Sequence, residues 1–150
     1  MAIAISLHIL AACIWVGGMF FAYVCLRPVA ASTLEPAQRL TLWRGTFQSF
    51  FKWVGLSIVL LIISGHFMIG MFGGMKGVGV HVHIMLLLGY IMFAIFGHVF
   101  FAPFKRLKAA VDNQDWEAGA AQLNTIRKMV GINLVIGLIT IIVASAGRFI

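Results

Sequence analysis

Four long stretches of the chain are almost continuously apolar, and each is bounded by glycine, proline or basic residues. They cover residues 3–26, 53–72, 80–102 and 129–147. A helix that crosses a bilayer needs about 20 apolar residues, whereas a transmembrane β-strand would alternate in sidedness over about ten. The pattern therefore predicts an all-α integral membrane protein, a four-helix bundle that forms one domain over residues 1–150.

Two of the connecting segments also carry helical signals. Ser32 and Glu35 have the spacing of a capping box, and apolar residues follow at helical intervals as far as Phe51. This indicates either an amphipathic helix on the membrane surface or an extension of the second span. Asp115 begins an alanine-rich segment, and we expect that segment to continue into the fourth span.

Composition agrees with a membrane protein, since 62% of the residues are hydrophobic, 10% are charged and the mean hydropathy is +1.05. A soluble enzyme or a nucleic-acid-binding protein would have far more charge. No basic residue precedes the first apolar stretch, so we expect no cleavable signal peptide.

The net charge of +7 is explained by topology, because nine of the eleven basic residues fall in the first and third connections. The second connection has only Lys76, and the C-terminus has only Arg148. The positive-inside rule then predicts a multi-pass protein of the bacterial inner membrane with both termini on the periplasmic side. The expected partner of the basic residues is the lipid bilayer, and no nucleic-acid partner is indicated.

Five histidines are many for a chain with so few charges. At about 1.5 Å of rise per residue, His8, His66 and His83 lie about 5–8 Å below the periplasmic ends of three different spans. His81 lies at the boundary itself. Polar groups are costly inside a bilayer and tend to mark functional sites there. We therefore expect this layer to share one haem or metal site.

Helical phase separates neighbouring candidates. His81 and His83 differ by about 200° around a helix, so we expect His83 to point into the bundle and His81 to face its surface. His98 lies at the other end of the third span, at the depth of Asn133 on the fourth. We expect these two side chains to form a hydrogen bond.

One chemistry for the layer is a b-type haem, which needs two axial imidazoles, a slot between helices and cations near its propionates. His8 and His83 would supply the imidazoles, and the small residues Gly17 and Gly18 would leave room for the flat ring. The candidate cofactor-binding residues are His8, His66, His83, Trp15, Gly17, Gly18, Lys76 and Arg148.

The alternative chemistry is copper. Thioethers and imidazoles are gathered around the second connection, and Cu(I) prefers such soft ligands. The candidate copper ligands are His8, His66, His81, His83, Met68 and Met71. The residues by themselves leave both chemistries open.

Two segments carry a family resemblance. Residues 8–20, HILAACIWVGGMF, resemble the first helix of CopD-type copper-resistance membrane domains, and residues 81–88, HVHIMLLL, resemble the third. The same segments resemble HemJ, a membrane protoporphyrinogen oxidase that binds haem b, and the four-helix b-type cytochromes. The resemblance implies that His8 is an axial ligand. Both CopD and HemJ typically place a lysine where this chain has His83, which favours bis-histidine ligation over the HemJ activity.

The leading hypothesis is therefore a membrane cytochrome whose haem b passes electrons from a donor such as quinol to a periplasmic redox protein. The alternatives are copper binding or uptake at the periplasmic side, and an accessory subunit of a respiratory complex. No catalytic dyad is evident, so any enzymatic activity would be a haem-dependent oxidoreduction. A homo-oligomer is compatible with each alternative.

Overall fold

The computed structural model describes residues 1–147 and residue 149, and the secondary structure in this part of the chain is helical. Its elements are α1 (Ala2–Phe20), a π-helical turn (Phe21–Leu26), α2 (Arg27–Thr33), α3 (Pro36–Met71), a 3-10 turn (Met75–Gly77), α4 (Val80–Phe101), α5 (Pro103–Asp112) and α6 (Trp116–Ala146). Four stretches are long and apolar enough to cross a membrane: Ala2–Thr33, Pro36–Met71, Val80–Asp112 and Trp116–Ala146. The predicted all-α, four-span architecture is confirmed.

The helices extend well beyond the apolar stretches that predict them. α3 begins at Pro36 rather than near residue 53, so the amphipathic segment is an extension of the second span and not a separate surface helix. α6 begins at Trp116, where the Asp115 carboxylate accepts a hydrogen bond from the backbone N–H of Ala118 at 3.0 Å. The expected continuation of this helix into the fourth span is confirmed.

The capping box proposed at Ser32 and Glu35 is wrong. Glu35 is itself the N-cap of α3, and its backbone N–H donates to the side-chain oxygen of Gln38 at 3.3 Å. The Ser32 hydroxyl donates instead to the carbonyl of Val29 at 3.1 Å, within α2. Pro36 explains the shift, because proline at the first helical position needs no hydrogen bond and has the right φ.

The first helix is expected to end near Pro28, but it continues beyond this residue. Proline lacks an N–H and its ring collides with the carbonyl four residues earlier, which would normally break a helix. The preceding turn, Phe21–Leu26, adopts the wider π register, in which the N–H of Arg27 bonds to the carbonyl of Ala22. The chain therefore remains helical to Thr33 and turns only at Leu34.

In the bundle, α1 runs along α3 and α4 runs along α6, with α5 folded onto α6. Aromatic rings fill the middle of this arrangement. Trp15 of α1 stacks on Phe93 of α4 with ring centroids 5.7 Å apart, and Phe51 of α3 meets Phe104 of α5 edge to face at 4.9 Å. The exterior of the spans is apolar in turn, with Ile63, Leu87 and Ile142 more than 60% exposed. Such a surface suits contact with lipid.

The two ends of the bundle differ in charge. Arg44 of α3 and Asp112 of α5 form a salt bridge of 2.7 Å, which brings the first and third connections to the same end. This end, which carries nine of the eleven basic residues, is called the basic end below. The opposite end, which holds His8, His66 and His83, is called the histidine end.

The spans pack closely around Gly137, and substitution of this glycine tests that packing. A Cβ at this buried position would lie 3.0 Å from Val16 and 3.1 Å from Met92, whereas a Cβ at exposed Gly45 would meet nothing within 4 Å. Overpacking costs about 1–3 kcal/mol. We therefore expect Gly137→Leu to lower the thermal unfolding midpoint in detergent and Gly45→Leu to leave it unchanged or slightly higher. Equal midpoints for the two variants would contradict the packing described here.

Candidate functional site

His8 is half-buried on α1 and faces α3, where its Nδ1 lies 2.8 Å from the hydroxyl oxygen of Ser64. That hydroxyl lies 2.5 Å from the carbonyl oxygen of Leu60, to which it donates its proton. The Ser64 oxygen therefore accepts from His8, so that Nδ1 carries the imidazole proton and Nε2 carries the lone pair. Gly65 makes the approach feasible, because a Cβ there would lie only 3.3 Å from the His8 ring.

His66 links α3 to α4. Its Nδ1 lies 2.9 Å from the carbonyl oxygen of Ile62, and since a carbonyl can only accept, Nδ1 is again the protonated nitrogen. Its Nε2 lies 3.1 Å from the hydroxyl of Tyr90, which must then be the donor. The side chain is exposed on the outer surface of the bundle.

His83 has the same arrangement at the start of α4. Its Nδ1 lies 3.2 Å from the carbonyl oxygen of Gly79, so this ring also has its proton on Nδ1 and its lone pair on Nε2. Metal-binding imidazoles typically use one nitrogen for the metal and donate the other N–H to an oxygen. In His8, His66 and His83 alike, the Nδ1–H group donates to an oxygen in this way.

The expected orientations of His81 and His83 are reversed. His83 is exposed, whereas His81 is half-buried against the C-terminal end of α6. The reason is Gly147, because a Cβ at this position would overlap the side chain of His81. The missing side chain leaves room for the His81 ring to pack between α4 and α6.

The slot expected beside the first-span glycines is not open. A Cβ on Gly18 would collide with the ring of Phe50, which occupies that side of α1, while Gly17 faces outward with nothing within 4 Å of its Cβ position. Trp15 is buried between Phe93 and Phe96. Trp15 and Phe50 therefore pack in the bundle interior, where the cavity that they line, about 20 Å³, is far too small for a haem.

The remaining candidates lie around the second connection or beyond the described residues. Met68 is half-buried near the end of α3, and Met71 is 60% exposed at its last residue. Lys76 is exposed on the 3-10 turn, and Arg148 lies outside the described residues. Within residues 1–147 and 149, no three His, Cys, Asp or Glu side chains are close enough together to hold one metal ion. The structure thus does not bring the predicted histidine ligands together, and the shared ligand set stays a prediction.

The expected hydrogen bond between His98 and Asn133 is wrong. Asn133 is buried, and its side-chain amide donates to the backbone carbonyl of Met92 at 3.5 Å. His98 is exposed on the outer side of α4. The two residues share a depth but not a helix face, so the amide finds the backbone of α4 instead.

Sequence reasoning missed Ser64 and the role of Tyr90. Ser57 and Ser64 are the buried serines of α3 and are seven residues apart, so they lie on one stripe of an otherwise apolar helix. A serine on a buried stripe is the usual means of hydrogen bonding across membrane helices. That spacing could have pointed to a polar partner for a histidine on a neighbouring span.

A comparison with protein families matches residues 44–146 to the model of CopD, copper resistance protein D. The chain belongs to the CopD family. The match begins within α3 and covers α4, α5 and α6, so it includes His66 and His83 but not His8. No curated protein and no solved structure matches the chain. Family membership and the four apolar spans identify a multi-pass membrane protein related to copper resistance.

The hydrogen bond from His8 to Ser64 can be tested in this CopD protein by nitrogen NMR of labelled histidine. We expect the neutral His8 ring to be protonated at Nδ1 in the wild type. Ser64→Ala should allow a mixture of tautomers and lower stability by about 1–3 kcal/mol, because a buried donor loses its acceptor.

Ser57→Ala is the matched control, since Ser57 is equally buried on the same helix without a contact to histidine. We expect it to leave the His8 signals unchanged. The role of Ser64 would be disproved if His8 stayed protonated only at Nδ1 in Ser64→Ala. A mixture of tautomers in Ser57→Ala would disprove it as well.

Proposed function

We propose that this CopD family protein binds Cu(I) at the histidine end of the bundle, with His8 and His83 as the first ligands. The observation that supports the proposal is the shared hydrogen-bond pattern of the imidazoles, in which Nδ1 donates to an oxygen and leaves the Nε2 lone pair for a ligand. Copper is the metal to which the family description refers.

His66 would enter the coordination shell in a second step that moves its side chain, because no three such ligands lie close together among the residues that the structure describes. Its Nε2 accepts a hydrogen bond from Tyr90, so copper must displace the phenol before that lone pair becomes available. The displaced hydroxyl would then face lipid on the exposed surface of α4, so the lost hydrogen bond is part of the cost of binding copper at His66. The hydrogen bond from Tyr90 therefore blocks the Nε2 lone pair of His66 until copper displaces it.

The neighbouring thioethers favour Cu(I) over harder ions. Met68 and Met71 follow His66 on the last turns of α3, and thioether sulfur with imidazole nitrogen is a soft ligand set. Half-exposed methionine side chains are also flexible enough to reach a metal at the surface.

The geometry favours binding at this end over passage through the bundle. The stacked rings of Trp15 and Phe93, and those of Phe51 and Phe104, fill the space between the histidine end and the basic end. We infer that the histidine end faces the periplasm, because the basic end is the one expected in the cytoplasm. The protein would then take up copper from the periplasmic side and hold it there.

Haem b is less compatible with the packing. The same Nε2 lone pairs could ligate haem iron, but the ring of Phe50 occupies the place beside Gly18 that a flat macrocycle would need. The residues of the expected slot thus do not fit a haem. A visible spectrum distinguishes the two cofactors directly.

Copper binding can be measured on the full-length protein in detergent with ascorbate, in competition with a chromogenic Cu(I) chelator. We expect His8→Ala and His83→Ala each to weaken Cu(I) binding by at least about tenfold, because each removes a ligand. Binding should also weaken as the pH is lowered, since protons compete for the same lone pairs.

His98→Ala is the matched control, because His98 is an exposed histidine at the opposite end of α4. We expect it to bind Cu(I) like the wild type. The proposal is wrong if the wild type takes no copper from the chelator, or if His98→Ala loses as much affinity as His83→Ala. If the wild type showed a Soret band and His8→Ala did not, the cofactor at this site would be haem and not copper.

A further inference from the structure

A cleft of about 250 Å³ opens at the basic end between α2, α3 and α6. Arg27 of α2, Arg39 of α3 and Arg127 of α6 all line it, together with the amide of Asn124. The three arginines thus come from three separate helices and line one opening. We call this space the arginine cleft.

No acidic side chain lines the arginine cleft. Within the part of the chain that the structure describes, the ion pair at this end joins Arg44 to Asp112 and involves none of the three cleft arginines. Arg27 lies over the ring of Tyr23, 4.9 Å from its centroid, which holds the guanidinium without neutralising it. Three positive charges around one cleft repel one another, and an anion bound there would relieve that repulsion.

The chemistry of the lining indicates what kind of anion fits. Guanidinium groups bind phosphate through paired N–H donors, and Asn124 adds a neutral donor. The walls between them are apolar and include Leu40, Trp43 and Phe47. A polar anion would make no favourable contact with these apolar walls. An amphiphile with an anionic head would contact both the arginines and the walls.

The π-helical turn contributes to the same cleft. Ala22 and Tyr23 belong to this turn and line the cleft, and π-helical turns are frequent at functional sites. Beside them, Phe20, Phe21 and Val24 are about half exposed on the outer surface of the first span. An acyl chain could lie along these side chains while its head group enters the cleft.

We propose that the arginine cleft binds the phosphate head group of an anionic phospholipid. The cleft volume accommodates a phosphate and its glycerol but not the acyl chains, which extend over the apolar exterior of the first span. Basic pockets between spans on the cytoplasmic side are suited to such lipids. The bound phosphate joins α2, α3 and α6 at the level where each enters the membrane surface.

Native mass spectrometry of the full-length protein, titrated with phosphatidylglycerol or phosphatidylcholine in detergent, tests this proposal. We expect the wild type to retain phosphatidylglycerol preferentially. Arg127→Gln should weaken its binding by about tenfold, since a charge-assisted hydrogen bond to phosphate is lost. A variant with Arg27→Gln, Arg39→Gln and Arg127→Gln should lose the preference altogether.

The matched control replaces three exposed basic residues of the same end that do not line the cleft, as Lys105→Gln, Arg106→Gln and Lys128→Gln. It removes the same charge and should keep the preference. Equal binding of both lipids by the wild type, or equal loss in the control, overturns the proposal. Inorganic phosphate that binds as tightly as phosphatidylglycerol overturns the lipid assignment in favour of a soluble phosphate.

Both triple variants are compared by thermal unfolding, so that a misfolded protein is not counted as a loss of binding. Ala120→Leu gives a second test, because it keeps every arginine and narrows the cleft that Ala120 lines. We expect it also to weaken phosphatidylglycerol binding. Unchanged binding in Ala120→Leu would place the lipid outside the cleft and overturn the proposal.

Discussion

Inside a bilayer no water can replace a lost hydrogen bond, so an N–H or C=O group without a partner there is costly. The first span shows the consequence at Pro28, where the chain shifts into a π-helical turn and stays helical although proline removes a donor. The same requirement acts on side chains. The ring N–H groups of His8, His66 and His83 each donate to an oxygen, and the Nδ2 of Asn133 donates to the backbone of α4, although the buried Oδ1 of Asn133 has no partner.

Those hydrogen bonds give the histidine end its chemical character. An oxygen acceptor at Nδ1 leaves Nε2 unprotonated, so the need to satisfy polar groups also prepares lone pairs for a metal. Ser64 achieves this for His8 by donating its own proton to Leu60, which makes its oxygen an acceptor. Under the proposed function, copper binding and membrane stability would therefore depend on the same small set of contacts.

The aromatic interior separates this end from the basic end. Rings such as Trp15, Phe51 and Phe93 pack across the spans, and glycines at close approaches allow them to do so, as Gly18 does for Phe50. The two ends can thus have different roles. One holds the imidazole and thioether groups that we propose as ligands of a soft cation, whereas the other holds the arginines that we propose as the binding site of an anion.

The sequence by itself determined the four helices, the end that carries the positive charge and the level of each histidine, because apolar length and helical rise depend only on the order of residues. Only the tertiary structure decided which side chains meet. Depth places His98 beside Asn133 and helical phase directs His83 toward the interior, yet the rotation and neighbours of each helix direct both histidines outward. The partners Ser64 and Tyr90, the ring that covers Gly18 and the convergence of three arginines likewise depend on contacts between helices, which a one-dimensional pattern does not contain.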